Sequence, residues 1–275
     1  MSHECFDTTD SDVVLRSADG QEFRAHKTML SIASPVFQNM FTFPQPPSPE
    51  PPSAPIVDVC ETGEVLDVFL QCIYPVSKPT VKGFELLEAL VAAADKYETE
   101  VILDMVGSWL VAPENLRRDP LRVYAIACSS PALREQVKVA AKWMTFEMVV
   151  NAHWDTVARL TATDHHRLVL YLVNREKEAK RITDDPSWAI FYTPRCACKT
   201  EAKVQIKEEI KKALTDAFVS NPSLSMEGAV VLAYKQLSKV RACSLDQNCS
   251  LVIQGEEYAK ELMGQLADMS DTLWC

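Results

Sequence analysis

Apolar and polar positions near the start of the chain repeat first with the period of a strand and then with that of a helix. Val13, Val14 and Leu15 open an apolar run that predicts a β-strand over residues 12–17. Asp19-Gly20 follows and predicts a tight turn, because glycine tolerates the positive φ that such turns require. Residues 21–26 then alternate, with Phe23 and Ala25 on one face and Glu22, Arg24 and His26 on the other. That is the pattern of a half-buried second strand. The period changes after His26. Leu30, Ala33, Phe37, Met40 and Phe41 recur at helical spacing, and Ser34-Pro35 interrupts them. Serine is a good N-cap and proline suits the first helical position, so a helix hairpin or a restart is predicted there.

Residues 44–55 carry seven prolines in twelve positions. They predict an extended spacer loop; the sharper alternative is a polyproline II ligand for an aromatic groove. Helical periodicity returns over residues 64–73, where Val65, Leu66, Val68, Phe69 and Ile73 group on one face. It is clearer over 84–97, with Phe84, Leu87, Val91, Ala94 and Tyr97, and it continues over 101–110. Ala112-Pro113 is the natural boundary, since proline disfavours helix at the residue before it. Beyond it the pattern predicts helices over 121–128, 132–145 after a restart at Ser130-Pro131, and 164–182 capped by Thr163. Three more are predicted over 201–218, 226–241 and 255–273. No repeat of fixed period is present, so a solenoid or propeller is not supported.

In order along the chain, D-V-V-L, F-x-A-H-K and S-P-V-F-x-x-M-F resemble the N-terminal half of a BTB/POZ domain. APIVDVCE (54–61) resembles its next strand, EVLDVFLQCIYP (64–75) the helix after it, and GFELLEALVAAADKYETEVILDMVGSWLV (83–111) its closing helix pair. The resemblance implies an α+β fold: a small mixed sheet of about three strands capped by helices over 10–112, then an all-α region over 113–275. Residues 1–9 are expected to be a disordered N-terminus. PLRVYAIACSSPALREQVKVAAKWM and LTATDHHRLVLYLVNREKEA resemble the BACK-like helical region of BTB proteins that are numerous in mushroom-forming fungi.

What the resemblance implies is contact with other proteins, including self-association as a homodimer. Asp12 and Lys27 match family positions that line a charged pocket near the dimer face. With His26, Phe37, Met40 and Phe41 they are the candidate protein-contact residues. His26 itself is expected to satisfy backbone groups at the strand-to-helix junction. Family dimers often swap an N-terminal strand; the short polar lead here implies an unswapped dimer or a monomer. A second reading is a substrate adaptor that brings a client to a cullin-type ubiquitin ligase. Such adaptors carry a hydrophobic-x-Glu motif before the third strand, whereas the only glutamate of this loop, Glu50, follows Ser48-Pro49. A third is a transcription co-regulator without its own DNA-binding domain.

Composition narrows the chemistry. The 275 residues are 47% hydrophobic and 24% charged, ordinary globular usage with room for two domains. A net charge of −10 argues against direct binding to nucleic acid. No apolar run is long enough to cross a bilayer, and residues 1–12 lack the basic-then-apolar pattern of a signal peptide. A cytoplasmic or nuclear location is therefore expected, in which the nine cysteines remain thiols. Cys196 and Cys198, with Cys243 and Cys249, invite a zinc reading. Their spacers of one and five residues both miss the two to four that let paired thiolates reach one metal, so no metal site is expected. His165-His166 diverge on a helix and are expected to be structural, and His153 to be partly buried. Lys199, Lys203, Lys207 and Lys211 form a basic stripe, expected to be a solvated face. No nucleophile elbow, phosphate loop, dinucleotide fingerprint or zinc-protease motif occurs. The expectation is no catalysis and no cofactor.

Overall fold

A computed structural model describes residues 10–43 and 54–184, with side chains to 177. The chain divides into two compact units, Met1–Val137 and Lys138–Cys275. Residues 1–9, the proline loop over 44–53, the cysteine pairs, the lysine stripe and the three last predicted helices lie outside the described residues.

The first unit opens as the alternation predicts. β1 (Val13–Arg16) and β2 (Glu22–Ala25) pair antiparallel, with Leu15 opposite Phe23. Gly20 in the connecting turn has φ 81°, a conformation that L side chains rarely adopt. α1 (Lys27–Ala33) and α2 (Pro35–Thr42) break at the expected place. Ser34 stays extended there, its Oγ accepts from Phe37 N at 3.2 Å, and Pro35 takes the first helical position. β3 (Ile56–Asp58) joins β1 in parallel, which gives a three-stranded mixed sheet of order β2-β1-β3.

Five helices follow β3. They are α3 (Gly63–Ile73), α4 (Phe84–Lys96), α5 (Glu100–Leu110), α6 (Pro113–Arg118) and α7 (Pro120–Cys128). A short 3-10 turn, Pro131–Leu133, leads into α8 (Arg134–Lys142). α3 is buried on more than one side: Val65, Leu66, Val68, Phe69, Leu70 and Cys72 are all inside, while Ile73 is only half-buried. Burial pushes the Cys72 thiol up to about 11, so it behaves as a small apolar group. The expected stripe on α4 is buried in full, joined by Leu90 and Ala93.

Tyr97, just after α4, is the hub of the core. Its ring stacks on Phe37 at 4.6 Å and meets the edge of Phe69 at 5.5 Å. Its carbonyl accepts from Ser34 Oγ, which ties the α1–α2 break to the end of α4. Its hydroxyl donates to Glu61 Oε2 at 2.6 Å, and Lys96 Nζ reaches Glu61 Oε1 at 2.9 Å. Burial raises the cost of charge on Glu61. Hydrogen bonds from Tyr97 and Lys96 outweigh it and hold this carboxyl below its ordinary value. A carboxylate depressed in the fold stabilises it above the unfolded value of about 4.3 and stops doing so as pH falls through the folded value. Acid titration of unfolding should therefore show a loss of stability in that range, and Glu61→Gln should flatten it. An unchanged acid limb in Glu61→Gln would assign the loss to other carboxylates.

In the second unit, the short helices α9 (Phe146–Val150) and α10 (Trp154–Val157) precede the long α11 (Ala162–Asp184). Periodicity gave no sign of α9 or α10, because five and four residues hold barely one turn. Val149, Leu168, Tyr171 and Leu172 are buried, with Arg175 beside them. Arg175 Nη2 donates to Met144 O at 2.6 Å, and its guanidinium lies 5.6 Å from the Tyr171 ring. The cap of α11 is Thr161 rather than Thr163. Thr161 Oγ1 accepts from Asp164 N at 3.1 Å, two residues earlier than the sequence suggested. His153 is exposed beside Asp155, not partly buried.

Candidate protein-contact site

The α1–α2 hairpin and the chain around it hold all six candidate residues. Asp12 does not pair with the ammonium of Lys27. Its Oδ1 accepts from Lys27 N at 2.7 Å, so it satisfies the start of α1, and Lys27 Nζ lies 5.9 Å from the Phe41 ring. His26 departs from the expectation that it satisfies backbone groups at the junction: its ring makes no cap hydrogen bond and meets side chains instead. Its N–H donates to Tyr74 OH at 2.9 Å, and its Nδ1 lies 3.0 Å from the same oxygen. Burial pushes the Tyr74 phenol above its ordinary value, a direction that Asp12 and Asp10 reinforce.

Phe37 is a correction. It is fully buried and stacks on Tyr97 and Phe41, so it holds the hairpin down rather than facing a partner. Met40 and Phe41 are half-buried. Two exposed residues were missed: Ile32 on α1 at 78% and Phe43 just after α2 at 68%. The signal for Ile32 was there, because it lies two residues, about 200° around the helix, from Leu30. Ile32 lines an open depression of about 530 Å³ together with Lys27, Thr28, Ser31, Pro35 and Gln38.

The β1–β2 turn is fastened to the start of α3. Asp19, in the β1–β2 turn, accepts from Ser17 Oγ at 2.6 Å and from Gly63 N at 2.8 Å. Those bonds hold its carboxyl below the usual range. Asp19 thereby satisfies the start of α3, which lacks a side-chain cap of its own.

Among the described residues, no group of three or more His, Cys, Asp or Glu side chains could hold a metal ion. No helix among them is long and apolar enough to cross a membrane. No curated protein matches the sequence. The family model of the BTB/POZ domain matches residues 3–113, the stretch that holds the mixed sheet, the α1–α2 hairpin and α3 to α5. The chain carries a BTB/POZ domain, a protein–protein interaction module, over residues 3–113.

Proposed function

We propose that the chain self-associates through the α1–α2 face of its BTB/POZ domain, and that this contact rather than catalysis is its work. The observation that carries the reading is Ile32. A large apolar side chain stands 78% exposed on α1, at the rim of the depression between the two helices. Half-buried Met40 and Phe41 and exposed Phe43 continue the apolar character along α2. A second copy would bury this surface and gain the free energy of removing it from water. The helices after Pro113 then serve as a BACK-like extension carried by the contact domain.

Capture of an untagged copy by a tagged copy tests the reading, with Ile32→Glu in both as the variant. Ile32 is too exposed for the charge to disturb the core. The expected result is co-capture of the wild-type pair and its loss, by at least about tenfold, in the variant pair, since a buried unpaired carboxylate costs several kcal/mol. Equal capture of both pairs would remove this face from the interface. Capture of a cullin by the wild-type chain in place of its own copy would move the function to the adaptor reading.

A further inference from the structure

Four large apolar side chains stand exposed within nine residues of the second unit: Phe146, Met148, Val150 and Trp154. Trp154 is 73% exposed and Val150 64%. α9 packs on α11 and keeps only Val149 inside. Phe146 and Val150 are four residues apart and share one side of α9, and Trp154 follows at the first position of α10. Half-buried Val157 and Leu160 continue the apolar character. So much apolar surface in so short a stretch marks a contact.

An occupant is present in the same chain. Residues 255–273, the last of the predicted helices, place Tyr258, Leu262, Leu266, Met269 and Leu273 at spacings of four, four, three and four. That is an apolar stripe along one helical face, and most of the stability of such a helix comes from packing its stripe. The segment belongs to the same compact unit as α9 and α10. Because it is tethered, its docking costs none of the translational freedom that a separate molecule would lose.

Charge selects this segment over the other two predicted helices. Residues 138–177 carry six basic and four acidic side chains, in a chain of net charge −10. Residues 255–273 carry five acids and one lysine. Residues 201–218 carry four of each sign, and residues 226–241 three basic side chains and one acid. Of the three, 255–273 alone has the opposite sign to 138–177 and is drawn towards it.

We propose that the apolar surface of α9 and α10 is the docking site for residues 255–273 of the same chain, whose apolar stripe covers Phe146, Val150 and Trp154. The contact closes the second unit on itself, and this surface is then not offered to other proteins.

Hydrogen exchange of the full chain, read by mass spectrometry over peptides from 255–273, tests the docking. The wild type should protect this stretch. Val150→Glu with Trp154→Glu should lower the protection by at least about tenfold, because the docked state would bury unpaired carboxylates. Both positions are exposed enough for the charges to leave the core of the unit intact. An unprotected stretch in the wild type overturns the proposal, as does protection that survives the double variant. Protection that fades on dilution overturns it too, because the occupant is then a second copy. Hydroxyl-radical labelling of Trp154 gives the reciprocal reading. It should be slow in the wild type and at least about tenfold faster in Leu262→Glu with Leu266→Glu. Fast labelling of Trp154 in the wild type overturns the docking whether or not either variant folds.

Discussion

Tyr97→Ala should lower the stability of the first unit by about 3–5 kcal/mol, the usual cost of deleting a large buried aromatic. The reason is how much meets at this one residue. Its ring fills the space between Phe37 and Phe69, and it is only 3% exposed. Its hydroxyl binds a carboxylate that burial would otherwise penalise. Alanine leaves a cavity and removes the Tyr97 hydroxyl from Glu61, which keeps Lys96. Tyr97→Phe separates the two parts: it keeps the ring and removes the hydroxyl, and should cost about 1.5–3 kcal/mol, the range for a hydrogen bond to a charged group. Denaturant unfolding of both variants is the measurement. If Tyr97→Phe costs as much as Tyr97→Ala, the network dominates and the stack is secondary. If neither costs more than about 1 kcal/mol, Tyr97 is not the hub.

The second large effect concerns where the folded unit ends. Residues 3–113 match the BTB/POZ model, yet the compact unit continues to Val137. α7 packs on α4 and α5, and the 3-10 turn packs on α5. Leu121, Tyr124 and Leu133 are buried there. Arg122 bridges from α7 to Glu85 at 2.9 Å and lies 5.4 Å from the Phe84 ring, and Ser130 Oγ donates to Asp95 at 2.8 Å. Gly107 on α5 lets this layer come close: an added Cβ would stand 3.2 Å from Leu133 and 2.7 Å from the Gln136 side chain. Burying a large apolar side chain contributes about 1.5–3 kcal/mol, and three of them give roughly 4–9 before allowance for a compact unfolded chain. A fragment of residues 1–113 should therefore be less stable than one of residues 1–137, with roughly 4–9 kcal/mol as the upper bound, against a typical total of about 5–15. Thermal unfolding of the two fragments side by side decides it. Equal midpoints would mean that α6 and α7 decorate the domain without supporting it.

Sequence reading went furthest where the signal is local. Asp19-Gly20 gave the hairpin because turn chemistry is carried by two adjacent residues. Ser34-Pro35 gave the break between α1 and α2 because cap and first helical position are neighbours. The stripe from Phe84 to Tyr97 gave α4 because more than three turns repeat the same face. What escaped depends on residues far apart in the chain. Nothing near His26 announces Tyr74, 48 positions away, and nothing near Asp19 announces that it satisfies Gly63. The parallel pairing of β3 with β1 joins residues more than 40 positions apart and leaves no periodic trace. Thr161 and Thr163 both precede an apolar run with helical spacing, and only the position of Asp164 N relative to Thr161 Oγ1 decides between them.

The contact site shows the same division. The motif S-P-V-F-x-x-M-F lies in the α1–α2 hairpin, but motif letters do not separate a buried residue from an exposed one. Phe37 is the first kind and Ile32 the second. Helical phase sets Ile32 apart from the buried Leu30 of its own helix, two residues and about 200° away, while Phe37 lies on α2 beyond the break at Ser34.

The most direct test of self-association through the α1–α2 face is the mass of the full chain in solution, by sedimentation equilibrium at micromolar concentration. One chain has a mass of 30.8 kDa. The wild type should sediment at about twice that, and Ile32→Glu at the single-chain value, consistent with an apolar interface broken by an unpaired charge. A wild type that stays at the single-chain mass throughout the micromolar range, or an Ile32→Glu chain that stays dimeric, would contradict it.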